Sequence, residues 1–273
     1  MDPLIIVALM AVGIGAGIIG AIFGLGGGII FMPFLTIAFG LGAIEATAIS
    51  LIGIVASSVG AASIYVRRGM SNVRLGLLME ITTTIGAVVG AFIAAYLSNW
   101  MLLCIFSAVL IYSSLHMMFH GERISEPPDV EDNMSFTYYD ENEGLDKRYE
   151  VENVRGGLAL CTVAGAVSSM TGVGGGAIKV PLMNLFMHVP IKVASATSSY
   201  MIGITAFSGA IIYFLNGFVL LDYAAGMAIG AYIGSLIGTK ISRNLKSASM
   251  RKYLAIVLIV IAILELSKAG GLI

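Results

Sequence analysis

Charge is what this sequence most lacks. Only 11% of its 273 residues are Asp, Glu, Lys or Arg, against about 25% in soluble domains. Cysteine is nearly absent too. Cys104 and Cys161 form no CxxC, lie in apolar stretches and read as small buried hydrophobes. The three histidines, His116, His120 and His188, are too scattered for a metal site, and no cofactor is expected. No basic face suits a nucleic acid, and the formal net charge is -1. The opening "MDPLIIVALMAVGIGAG" lacks a basic n-region, so the sequence reading takes it as a first membrane segment rather than a signal peptide.

What fills the chain instead is apolar. Hydrophobic residues make up 58% and mean hydropathy is +0.95. Runs of about 20 apolar residues, long enough to cross a bilayer, recur along nearly the whole length. The expected class is an all-α, multi-pass integral membrane protein. The acids are segregated: eleven of sixteen lie between Gly121 and Val154.

The sequence also repeats itself. At an offset of 148 residues, "GLGGGIIFMPFL" (Gly24 to Leu35) falls on "GVGGGAIKVPLM" (Gly172 to Met183). In the same register Ser50 meets Ser198, Tyr65 meets Tyr213, and Gly86 and Gly90 meet Gly234 and Gly238. A duplicated unit follows. Five helical segments are expected in each copy, at roughly 4–23, 27–39, 43–66, 74–97 and 100–119, then 155–171, 176–188, 192–214, 220–242 and 249–266. The second of each set is too short to cross fully, and each starts at the triple glycine; whether it crosses or re-enters stays open, as does whether Pro33 and Pro181 kink or begin it.

Basic residues then give direction. In the first copy they follow segment three (Arg67, Arg68, Arg74); in the second they follow segment four (Lys240, Arg243, Lys246, Arg251, Lys252). Lys and Arg collect on the cytoplasmic side, so equivalent loops lie on opposite faces and the repeats are expected to be inverted. The expected organisation is a first membrane repeat (1–120), an acidic cytoplasmic loop (121–154) and a second membrane repeat (155–273), with both termini external. Within the loop, "FTYYD" and "KRYEV" alternate around "ENEG", which predicts a β-hairpin pairing about 134–140 with 146–152.

Inverted repeats with glycine-interrupted helices are a pattern of secondary transporters. Unwound backbone is tolerated at membrane depth only where protein or a watery cavity covers it, and a helix N-terminus attracts anions. The expected site therefore joins Gly26, Gly27 and Gly28 to Gly174, Gly175 and Gly176, near the midplane. Lys179, costly at membrane depth, either supplies charge to the solute, snorkels, or pairs with an acid such as Glu80. Thr47, Ser50, Ser198 and Ser199 are candidate donors to an oxyanion, or else bond back to helix carbonyls. Glu80 is a candidate proton carrier or an interfacial acid beside Arg74. No catalytic or metal-ligating set is expected. An intramembrane hydrolase lacks a GxSG motif with a paired histidine, and a scaffold acting through the central loop would need neither the lysine nor the matched glycine turns. The expected partners are a small anionic solute and the bilayer; oligomeric state stays open.

The doubled glycine motifs are each followed by a hydroxyl-rich helix ("ATAIS", "ASATSS") and a G-x-x-x-G helix. In these residues the chain resembles the TauE/SafE sulfite exporter family over both halves. The resemblance implies multi-pass transport of a small anion such as sulfite, a sulfonate or a related organosulfur compound. It places the motif positions at Gly26 to Gly28 with Pro33, and at Gly174 to Gly176 with Pro181.

Overall fold

A computed structural model describes residues 3–94, 99–119, 135–140, 143–171 and 175–269. In chain order the elements are α1 (Pro3–Phe23), α2 (Gly28–Ala38), α3 (Ala43–Arg67), α4 (Val73–Ala94), α5 (Asn99–Phe119), β1 (Ser135–Asp140), β2 (Leu145–Glu150), α6 (Val154–Thr171), α7 (Gly176–Pro181), a π-helical turn (Leu182–Phe186), α8 (Ile191–Leu215), α9 (Leu221–Asn244) and α10 (Ser247–Ala269). The repeat is visible in where helices begin. Gly28 and Gly176, Ala43 and Ile191, Val73 and Leu221, and Asn99 and Ser247 each open a helix, and each pair is 148 residues apart. Among the described residues five helices are long and apolar enough to cross a bilayer: Leu4–Phe23, Ile44–Arg67, Ile191–Leu215, Leu221–Asn244 and Ser247–Leu264. With 11 residues, α2 rises about 16 Å, well short of the ~30 Å hydrocarbon core.

The chain forms two compact units that interleave the repeats. The first holds Met1–Val73 and Ser195–Arg243; the second holds Arg74–Ala194 and Asn244–Ile273. In the first, α3 and its repeat mate α8 pack side by side. The Ser58 hydroxyl donates to the Ser199 carbonyl at 2.5 Å. The Ser71 hydroxyl donates to the Ala196 carbonyl at 3.1 Å, and the Asn72 amide to the Thr197 hydroxyl at 2.9 Å. Leu51 lies against Gly209. Partner numbers fall along α8 as they rise along α3, so the two mates run antiparallel. The core of this unit includes Leu9, Phe31, Leu35, Ile49, Ile54, Ile202 and Met227.

Helix α9 shows why a bilayer is its solvent. Gly230, Gly234 and Gly238 recur every fourth residue, so they share one stripe. Into it come the carbonyls of Met10, Ile14 and Ile18 of α1, close enough that a side chain on the stripe would collide with them. Away from the stripe, Ile229, Ile233, Ile237 and Ile241 are 39–52% exposed. In lipid that apolar ridge costs nothing; in water it would be a large exposed patch.

In the second unit α5 packs on its repeat mate α10. Gly86 of α4 and Gly165 of α6 accept the carbonyls of Thr162 and Thr83, as Gly234 and Gly17 accept those of Ile14 and Ala231 in the first unit. The same glycine contacts thus recur at the repeat offset.

The hairpin forms with antiparallel register from Ser135↔Glu150 to Asp140↔Leu145. Its second strand ends at Glu150, two residues earlier than expected. Val151 turns inward, the Glu152 amide donates to the Met187 carbonyl at 3.2 Å, and Asn153 takes a left-handed conformation (φ 49) that leads into α6. The hairpin is anchored: Asp140, 2% exposed, pairs with the equally buried Lys192 at 2.8 Å, and Glu152 meets His188 at 2.8 Å. A free solvated connector would show neither.

Candidate anion-binding site

The first glycine turn lies in the first unit. Gly24, Gly26 and Gly27 have φ of 71, 72 and 82, the left-handed region that glycine alone enters without strain. The Leu25 amide donates to the Gly20 carbonyl at 3.0 Å, and the Gly27 carbonyl accepts from Ile30 and Phe31 at 2.9 and 3.1 Å. Among the described residues, no backbone carbonyl accepts from the amides of Gly26, Gly27, Gly28 or Ile29. The three glycines are buried, so α2 begins with uncovered donors inside the protein.

Helices α3 and α8 supply the walls. The Ser50 hydroxyl of α3 lies 3.5 Å from where a side chain on Gly28 would begin, and Ile54 and Ile202 press on Gly26. The Ser198 hydroxyl donates to the Gly24 carbonyl at 2.7 Å, so Ser198 holds the turn in place. The structure therefore brings together Gly26, Gly27, Gly28, Ser50 and Ser198. Ser199 is different: its hydroxyl bonds back to the Ser195 carbonyl at 3.0 Å, the helix-capturing role that hydroxyls often take. Thr47 sits half-buried one turn before Ser50. In sequence, Ser195 is one of several hydroxyls in this segment, with Thr197, Ser198 and Ser199. Its carbonyl lies over Gly24, and its hydroxyl is 1% exposed with no hydrogen-bond partner among the described residues. Nothing in the run of hydroxyls from Ser195 to Ser199 marks it out.

The second turn lies in the second unit, and Gly174 falls outside the described residues. Gly175 caps α7 in a right-handed conformation, φ -67 and ψ -13, where Gly27 caps α2 in a left-handed one. Its carbonyl accepts from Ile178 and Lys179 at 3.3 and 2.9 Å. The Lys179 side chain folds back over this cap, with Nζ 3.2 Å from where a side chain on Gly175 would begin. It ends on Glu80: Nζ and Oε2 are 2.7 Å apart, with the residues 1% and 5% exposed. Glu80 stands in the second turn of α4, and its pairing with Lys179 is one of the readings the sequence left open. Thr83, one turn further along α4, donates to the Met79 carbonyl at 2.7 Å, and Cys161 of α6 lies near the pair.

The prolines act inside their helices. Pro33 lies within α2, and Pro181 closes α7, after which the backbone widens into the π-helical turn. Proline removes one amide from the ladder, and a local π adjustment is one way in which membrane helices re-satisfy the freed groups.

A multi-pass helical protein that starts its short helices at buried glycine turns, with an ion pair sealed among the helices, has the make-up of a membrane transporter. The Sulfite exporter TauE/SafE family model matches residues 9–264, and the chain belongs to that family. It is 26% identical over 262 residues to "Probable membrane transporter protein YunE" of Bacillus subtilis (strain 168), covering 93% of this chain and 95% of that one. A Methanocaldococcus jannaschii protein also called a probable membrane transporter protein is 24% identical over 270 residues, with 93% of each chain covered. "Sulfite exporter TauE/SafE family protein 5" of Arabidopsis thaliana is 36% identical over 64 residues, 23% of this chain and 14% of that one. No solved structure matches the chain.

Proposed function

We propose that this membrane transporter carries a small oxyanion of the sulfite or sulfonate class, by alternating access, with the glycine turn of each repeat offering backbone amides to the anion. The observation that carries the reading is the set of unclaimed amides at Gly26, Gly27 and Gly28, buried beside Ser50, with that of the half-buried Ile29 next to them. Buried donors without acceptors are costly, and an oxyanion is the ligand that satisfies several at once. Ser50 and Thr47 line the approach along α3, Ser198 fixes the turn, and Ser199 supports α8. Gly174, Gly175 and Gly176 are the corresponding turn of the second repeat, and the repeats are inverted. The antiparallel pairing of α3 with α8 supports that inversion. The sulfur chemistry rests on the family's description.

Lys179 gives the second half its charge, and Glu80 regulates access to it. A carboxylate and an oxyanion compete for one ammonium. A proton taken up by Glu80 releases Lys179 to the solute, so anion binding and protonation go together; the Lys179 ammonium lies 2.7 Å from that carboxyl. In this reading the central hairpin faces the cytoplasm, both termini lie outside, and no chemical reaction is catalysed.

The test is flux. The full chain is reconstituted in liposomes, and sulfite and a short alkyl sulfonate are followed under an imposed pH gradient. The reading predicts saturable anion flux that responds to the gradient, and a Glu80→Gln protein whose flux no longer does. Absence of flux for both anions, with the protein inserted and folded, contradicts it.

A further inference from the structure

At one end of the first unit, the last turn of α3 and the end of α9 enclose a cleft of 200 Å³ lined by Ser63, Ile64, Arg67, Arg68, Thr239 and Lys240. Three of the six are cations and none is an acid. The two hydroxyls are already committed, Ser63 to the Gly60 carbonyl and Thr239 to the Leu236 carbonyl, both at 2.8 Å. The cleft therefore offers positive charge rather than a hydroxyl-lined pocket. A tendency of basic residues to collect on one membrane face explains their presence, but it does not require cations from two helices 172 positions apart in sequence, Arg68 and Lys240, to line one cavity.

What lies next to the cleft decides the ligand. Along α9, Ile237 and Ile241 flank Lys240 and are each 40% exposed; along α3, Val59 and Val66, which share a face with Ser63, are 56% and 41% exposed. The charged cleft thus opens onto two apolar ridges suited to hydrocarbon. A soluble anion would use only the cations. A lipid with an anionic phosphate headgroup would use both, since basic pockets between membrane helices hold such headgroups while acyl chains follow the neighbouring apolar surface. We propose that this cleft is a site for the phosphate headgroup of an anionic phospholipid, with Arg67 and Lys240 as its principal ligands and the Ile237–Ile241 ridge as the bed for its chains. The site lies within the first unit and does not depend on what the transporter carries.

The experiment is native mass spectrometry of the full chain exchanged into mixed micelles containing dioleoylphosphatidylglycerol or dioleoylphosphatidylcholine, with inorganic phosphate as a third arm. The wild type is expected to retain phosphatidylglycerol at least ten-fold more than phosphatidylcholine. Arg67→Ala with Lys240→Ala is expected to abolish that preference. Arg67→Lys with Lys240→Arg is expected to restore it, and Arg148→Ala, a basic change on the hairpin, to leave it intact. Thermal unfolding of each variant separates lost binding from lost fold. Equal retention of the two lipids by wild type overturns the proposal. So does an unchanged preference in the double alanine protein, or displacement of phosphatidylglycerol by millimolar inorganic phosphate, which would assign the cleft to a soluble anion.

Discussion

The two compact units are assembled from the same parts and differ sharply at one pair of positions. In the second unit Lys179 of α7 meets Glu80 of α4 in a sealed ion pair. At the repeat offset their mates are Phe31 and Ala228, and in the first unit the Phe31 ring, 0% exposed, fills the corresponding helix while packing against Gly27 and Gly53. One unit thus presents bare amides over an aromatic floor, the other a cap over which an ammonium folds. The backbone plan does not need the charge, because an apolar pair serves the same architecture. A scaffold that tolerates Phe and Ala at these positions gives no packing reason for Lys and Glu, which is the ground for the proposal that the pair serves a solute or a proton.

The comparison can be broken most severely by removing one charge. Lys179→Ala takes the ammonium away from the buried Glu80 carboxyl, and breaking a buried pair costs roughly 3–5 kcal/mol. Its thermal unfolding should fall accordingly and its anion flux should vanish. Making the second unit resemble the first, by Lys179→Phe with Glu80→Ala, sharpens the contrast. Stability should return to within about 1–2 kcal/mol of wild type, since apolar replacement of a buried pair is often neutral, while flux stays lost. If that double protein transports normally, the pair is structural.

Next in size is the first turn. Gly27→Val forces a branched side chain into the left-handed region, at a cost of about 1–3 kcal/mol, and pushes it against the Ala16 carbonyl and the Phe31 ring. Flux should be abolished, with a lowered unfolding temperature. Gly175→Ala meets no such backbone penalty, because its φ is -67, and collides only with the flexible end of Lys179. It should alter the pH response of flux more than stability. The serines follow. Ser198→Ala removes one hydrogen bond, worth about 1 kcal/mol, and should lower anion affinity by loosening the turn; Ser199→Ala, which loses only a back-bond within its helix, should leave affinity unchanged.

The smallest effect is at the hairpin. The Glu143 hydrogen bond holds Lys147 above the usual lysine pKa; partial burial works against it, and the Asp140 and Glu143 charges add to the rise. A raised folded value means that its contribution is fully present below the ordinary lysine range and is lost as pH rises through the raised one. Hydrogen exchange of the hairpin amides should therefore be indifferent to Lys147 titration at neutral pH and respond only under strongly alkaline conditions. Because Lys147 is partly exposed, the effect should be slight.

Most of the architecture was legible because it is written twice. A constant offset of 148 residues predicts helix starts that the structure reproduces at four pairs of positions, and the glycines recur where backbones touch. What was not legible depends on distance along the chain or on local defects. The sequence left the meeting of Lys179 with Glu80, 99 residues apart, as one of several open readings, and nothing in either neighbourhood chooses among them. The anchoring of the hairpin by Asp140 and Lys192 spans 52 residues. The π-helical turn after Pro181 has no counterpart in α2, although both helices carry the proline, so composition alone does not choose between a kink and a bulge. The hydroxyls in α8 look alike in sequence; only packing separates Ser198, which reaches Gly24, from Ser199, which reaches back to Ser195.

Whether the first glycine corner grips the solute can be asked of its amides directly. Protein labelled with 15N-glycine, in lipid nanodiscs, should show saturable shifts of the Gly26, Gly27 and Gly28 resonances as sulfite is added, absent with an uncharged sulfoxide of similar size. Unmoved resonances at all three glycines, under conditions where the same preparation carries sulfite across liposomes, would contradict the account.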